Sequence, residues 1–310
     1  MRWICDSVSE RSVKRGLRIF LAALCLMILP ATAQAQLAPY KDDYFAYPGI
    51  LQTADNGDYL VVDYSEMRDI NGRDATPERR VKDAYVSLKV RRTQEELTVT
   101  TPAGPVKTLA VGNVKGDASI VVVYLHGQGG NRLQGMNDYT FGGNFNRLKN
   151  LMARNGGLYL SPDFSDFTDK GEAEIAGLIA YAKSLSPNAP VIVACGSAGG
   201  ALCWRLAGDP AVAQQLSGLI LLGSLWSEDF LSSAAFKRRI PVYFGHGSRD
   251  PVFAVEKQEA FYRAIRKAAP GYPVRFHRFE TGNHGTPIRM TDWRGVLNWM
   301  LAAHAGTGVK

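Results

Sequence analysis

The sequence is poor in cysteine, has no apolar run long enough to span a bilayer and carries almost no charge blocks; each scarcity excludes something. Four of the 310 residues are cysteine, too few for a disulfide framework, and no Cys/His cluster has metal-ligand spacing. The apolar run Ile19–Leu29 holds 11 residues, against the roughly 20 that a spanning helix needs, and no later segment is long and apolar enough. Neither an internal repeat nor a low-complexity tract is evident. The glycine-rich loop after Leu125 is followed by no Gly-Lys-Ser/Thr and lacks dinucleotide spacing, which removes the usual phosphate-cradling readings.

What is present fits a folded chain. Hydrophobic residues make up 46% and charged residues 21%, which excludes disorder and a collagen-like repeat. Much of the net charge of +7 lies at the start, where residues 1–35 hold five basic residues and two acidic ones. The remainder, with 31 basic and 27 acidic residues, has an ordinary surface, and a nucleic-acid partner loses its main support. The short run Lys237-Arg238-Arg239 reads as a solvated face.

The early charge belongs to a leader. A basic stretch ending at Arg18 is followed by the apolar run, Pro30 and the small residues Ala31-Thr32-Ala33-Gln34-Ala35, the pattern of a secretory signal. We expect cleavage after Ala35 and a mature protein that is exported, periplasmic or secreted, with no transmembrane segment left. Cys5 and Cys25 would leave with the leader. Cys195, ending a buried strand, and Cys203, two turns into the next helix, are expected as buried free thiols.

The rest divides into an N-terminal extension, residues 36–92, and a catalytic domain, residues 93–310. The extension is rich in Tyr and Asp and shows no helix–strand rhythm, so it is read as packed on the core. From Pro105 onward, short apolar runs alternate with helical patterns, the signal of β-α-β units and a mostly parallel sheet. Strands are expected at Glu96–Thr100, Val106–Val111, Ile120–Leu125, Leu158–Leu160, Val191–Ala194, Leu219–Leu222, Val242–Phe244 and Val274–Phe279. Helices are expected at Phe145–Arg154, Gly171–Leu185, Ala198–Leu206, Ala254–Ala268 and Thr291–Ala303, where apolar residues recur every three to four positions.

Four loops carry chemistry-bearing residues. The run Val191-Ile192-Val193-Ala194-Cys195-Gly196-Ser197-Ala198-Gly199-Gly200 is a buried strand meeting a helix at a serine among small residues. A sharp turn there exposes the serine hydroxyl, and the helix N-terminus offers backbone N–H groups to negative charge. The run Tyr124-Leu125-His126-Gly127-Gln128-Gly129-Gly130 lets backbone approach a ligand closely, with His126 read as orienting the loop. Asp250 follows the strand at Val242, and His284 stands between Asn283 and Gly285 after the strand at Val274. A serine hydroxyl needs a base within reach, and the base needs an acid to fix its tautomer.

Taken together, Ser197, Asp250 and His284, in that order and each just after a strand, resemble the α/β-hydrolase-fold serine hydrolases, the esterase and lipase superfamily. The pattern here is Cys-x-Ser-x-Gly, with Cys195 where the family's first glycine usually stands. The resemblance covers roughly Glu96–Ala303. It implies an α/β fold with a mostly parallel central sheet flanked by helices, the N-terminal extension and a minimal cap. It further implies Ser197, Asp250 and His284 as catalytic residues, backbone N–H groups of Gln128 and Ala198 as the oxyanion hole, and no cofactor or metal. Asp163, Glu228 and Asp229 are alternative acids.

The substrate is less legible. The insertion Ser224–Arg239 contains Trp226 and Phe230, whose spacing fits a substrate lip or a helix packed on the core. The segment Gly127–Asn144, with Tyr139, is the other candidate wall. The expected substrate is a small-molecule or lipid-like carboxylic ester; a peptidase, thioesterase or acyltransferase uses the same acyl chemistry. A non-catalytic exported binding protein is the reading of a different class, and fold analogy alone selects no substrate.

Overall fold

The computed structural model describes residues 36–75 and 79–306; the leader read from residues 1–35 lies outside them. Ten strands form one sheet: β1 (Ile50–Ala54), β2 (Tyr59–Val62), β3 (Gln94–Thr101), β4 (Gly104–Gly112), β5 (Val121–Leu125), β6 (Leu158–Pro162), β7 (Val191–Gly196), β8 (Leu216–Leu222), β9 (Val242–Gly247) and β10 (Val274–Phe279). Their spatial order is β1-β2-β10-β9-β8-β7-β5-β6-β4-β3. The seven strands from β2 through β6 in that order are mutually parallel, while β4 pairs antiparallel with both β6 and β3.

Most of the parallel strands are nearly continuous apolar runs because both of their faces are covered; β10, Val274-Arg275-Phe276-His277-Arg278-Phe279, is interrupted by charge. In β5, Val121, Val123 and Leu125 point into one core layer, while Val122 and Tyr124 point into the other. Helices α1 (Asn144–Arg154), α2 (Asp169–Leu185), α3 (Gly200–Gly208), α4 (Val255–Ala268), α5 (Thr286–Met290) and α6 (Trp293–Gly306) supply the covering layers. Ile175, Leu178 and Ile179 of α2, Leu202 and Leu206 of α3, and Phe261 and Ile265 of α4 pack on the first face. Phe145, Leu148 and Leu151 of α1, with Trp293, Leu297 and Met300 of α6, pack on the second. Both sets recur at the three-to-four spacing that puts one helix stripe on the sheet.

One expectation is sharpened here and one is overturned. The N-terminal extension adds strands to the sheet: β2 runs parallel to β10, with Tyr59 opposite Phe276 and Val62 opposite Phe279, and β1 closes that edge. Its partner lies more than 200 residues away, a pairing that no local rhythm announces. Cys195 and Cys203 are joined in a disulfide, not free, with Cα atoms 6.4 Å apart. The turn after β7 reverses the chain so that the first turns of α3 lie back over the strand end, within ordinary bridging distance.

Candidate active site

Ser197 follows β7 directly, Asp250 stands three residues beyond β9, and His284 five residues beyond β10. Because these strands are parallel, all three loops leave the same edge of the sheet. β7 and β10 are three strand spacings apart, about 14 Å. The loop after β10 therefore has to fold back across the sheet edge, and Asn283 stabilises that fold: its backbone N–H donates to Thr286 Oγ1 at 2.9 Å, and its Oδ1 accepts from Gly285 N at 3.1 Å.

The result is a continuous hydrogen-bonded chain. Ser197 Oγ lies 2.8 Å from His284 Nε2, and His284 Nδ1 lies 2.8 Å from Asp250 Oδ2. A carboxylate can only accept, which assigns the proton to Nδ1 and leaves Nε2 free to accept from the serine hydroxyl. Asp250 Oδ1 accepts from Val252 N at 2.8 Å and Phe253 N at 3.1 Å. Burial pushes the Asp250 carboxyl up, but the His284 hydrogen bond and these two N–H donors outweigh it and hold the group below its ordinary value.

Backbone conformation shapes the turn at Ser197. Ser197 has φ +51°, a region non-glycine residues enter rarely and mostly where the surroundings impose it. A Cβ on Gly199 would lie 2.7 Å from the carbonyl oxygens of both Leu125 and His126, so only glycine lets the helix start this close to β5. A Cβ on Gly127 would lie 2.8 Å from Ser197 Cβ, which places the Gly127-Gln128 backbone directly against the serine. Ser224 Oγ donates to Ser197 O at 2.7 Å and fixes the turn from the β8 side.

His126 orients its loop: Nδ1 hydrogen-bonds Gly127 O at 2.8 Å and the ring stacks on Phe164 at 4.2 Å. His246, in β9, lies buried against Asp250. Its Nε2 lies 2.7 Å from Phe253 O and 3.3 Å from Asp250 Oδ2, so as an N–H donor it braces both the acid and its turn. Its position four residues before Asp250 is the available signal. The alternative acids lie elsewhere: Asp163 pairs with Arg132 at 2.6 Å, and Glu228 and Asp229 are exposed.

The proposed walls are partly reassigned. Phe230 is 1% exposed and sits among Trp204, Phe236, Phe261 and Tyr272, so of the two readings open for the insertion it takes the core one. Trp226 is half-buried and packs against the same layer. Tyr139 lies under the Arg80 guanidinium, 3.1 Å from its ring centroid, in a wide surface depression with Arg91 and Asp138. Its neighbours Thr140 and Phe141, not Tyr139, line the cavity beside His284.

No family model and no curated protein matches the chain. Solved structures do. A protein of unknown function from Agrobacterium tumefaciens, described as an α/β hydrolase, superposes with a TM-score of 0.52 at 16% identity, covering 66% of this chain and 93% of its own. The esterase Pf2001 of Pyrococcus furiosus gives 0.51 at 14% identity, with 67% and 90% covered. A thermostable esterase gives 0.55 at 15% identity, with 69% and 64% covered. At such identities likeness speaks for architecture, and it agrees with the strand order and helix layers above: the chain has the α/β-hydrolase fold.

Proposed function

We propose that the protein is an exported serine hydrolase that cleaves carboxylic esters through an acyl-enzyme. The observation that carries this reading is the Ser197–His284–Asp250 chain, at 2.8 Å for each link, with the serine at a strained strand-to-helix turn. Ser197 Oγ attacks the ester carbonyl while its proton passes to His284 Nε2. The imidazolium so formed is stabilised by Asp250, which is held ionised by its N–H donors. The developing oxyanion is met by the backbone N–H groups of Ala198, at the start of the helical turn, and of Gln128, next to Gly127. His284 then returns the proton to the alcohol oxygen as the C–O bond breaks, and water repeats the sequence to release the acid.

Export is supported by two independent features. The leader has secretory composition, and a buried disulfide persists in oxidising compartments and is rare where thiols are kept reduced. Among the described residues no helix is long and apolar enough to cross a membrane. Hydrolysis of a p-nitrophenyl ester series from acetate to palmitate, with amide and thioester panels beside it, tests the reaction class. Preference for amides over esters would overturn the ester assignment while leaving the nucleophile in place.

A further inference from the structure

Against the loop that carries His284 lies a cavity of about 260 Å³ that the acyl-transfer scheme leaves unused. Two of its lining residues, Asn283 and Gly285, flank His284 in the chain. Phe141 forms the opposite wall; its ring reaches within 3.5 Å of where a Gly285 Cβ would stand, and its backbone sits at φ +49°. The remaining surface comes from the N-terminal extension, where Tyr64 and Ile70, each 5% exposed, close the cavity. The extension is fixed to the histidine loop by a buried ion pair: Arg289 of α5 donates to Asp74 Oδ1 at 3.0 Å and Oδ2 at 2.5 Å, and to Asp69 O at 2.9 Å.

We propose that this cavity receives the alcohol portion of the ester and selects a compact, neutral apolar or aromatic group; the proposal rests on the esterase reading above. Side follows from the chemistry. His284 must hand its proton to the departing alcohol oxygen, so the alcohol lies on the histidine's side of Ser197, where residues 283 and 285 stand. Size follows from the volume, about 260 Å³, which falls below the roughly 300–1,000 Å³ typical of sites for drug-sized ligands and favours a compact group over a long chain. Neutrality follows from charge pairing: the two lining arginines are both engaged, Arg289 with Asp74 and Arg79 with Glu66 at 3.3 Å. The extension is thus part of the substrate site, not only the edge of the sheet.

The test holds the acyl group constant as acetate and varies the alcohol: ethyl, benzyl and dodecyl esters, followed by pH-stat in the full mature protein. The wild type should favour benzyl over both others in kcat/KM. Thr140→Trp, introduced at an exposed rim position, should lower the benzyl-to-ethyl ratio by about tenfold or more, the scale of a steric misfit in an apolar pocket. Phe141→Ala should move the preference toward larger alcohols. Ratios within twofold of wild type in both variants, each folded by circular dichroism, would overturn the proposal. Fluorophosphonate labelling separates the two layers: a wild type that neither labels nor turns over defeats the esterase reading, whereas labelling with unaltered alcohol ratios defeats the pocket alone.

Discussion

The Cys195–Cys203 bridge spans Ser197, and its removal tests the local fold. The two half-cystines are 8 residues apart in sequence. In the chain-entropy account, closing so short a loop in the denatured chain is worth about 2.5 kcal/mol at 25 °C. Both residues are fully buried in the core layer beneath the turn, so truncating them adds a packing loss of the same sign. The Cys195→Ala/Cys203→Ala variant should therefore unfold in urea with a stability lower by roughly 2–4 kcal/mol, and melt about 5–10 °C lower, given a few degrees per kcal/mol for a domain of this size. Dithiothreitol should lower the wild type's stability by a comparable amount and leave the variant unchanged, and because neither sulfur is exposed the native bond should be reduced only as the core opens. A stability change below about 1 kcal/mol, or a variant that still responds to reductant, would refute the assignment of the bridge as a clamp on the β7–α3 turn.

Other consequences are as direct. Asp250→Asn removes the acceptor that fixes the His284 tautomer; kcat should fall by about 10⁴ with the fold retained by circular dichroism, and a loss under tenfold would show that another group serves the histidine. Gly127→Ala places a methyl 2.8 Å from Ser197 Cβ; relieving that contact needs a shift of about 1 Å, which should cost about 10²-fold in kcat with a small change in melting temperature, and unchanged turnover would mean the loop stands away from the reacting centre. Acid should destabilise the protein through Asp250 and Asp138, both held below the ordinary carboxylate value against burial, Asp138 by Lys149, Asn146 and Arg91. The folded state binds these protons more weakly than the unfolded one, so the contribution is full above the ordinary carboxylate value and is lost as pH falls through the depressed value. Urea midpoints measured downward from about pH 5 should decline, and a flat profile would contradict the two assignments.

The core of this account was legible because its signals are local. Most parallel strands are short apolar runs, and Ser197, Asp250 and His284 each follow a strand whose alternate or continuous apolar residues mark it, so chain order alone aligns them on one sheet edge. The features that escaped depend on distant or reversed chain. β1 has no buried residue in its five positions, so no apolar run marks it, and β2 finds its partner only after the whole sheet has been laid down. The disulfide needs the tight reversal after β7, which residue types suggest but do not measure. Phe230 and Tyr139 show the limit for pockets: aromatic spacing says that a face is apolar, and only packing says whether that face meets the core, an arginine or a substrate.

The central claim is that Ser197 is a nucleophile. The most direct measurement is covalent labelling of the mature protein by a fluorophosphonate, located by peptide mass spectrometry, with Ser197→Ala beside it and ester turnover followed in both. Ser197 should be modified stoichiometrically and the wild type should turn over ester, with neither outcome in the folded variant. Modification at another residue, or turnover that survives the substitution, would contradict it.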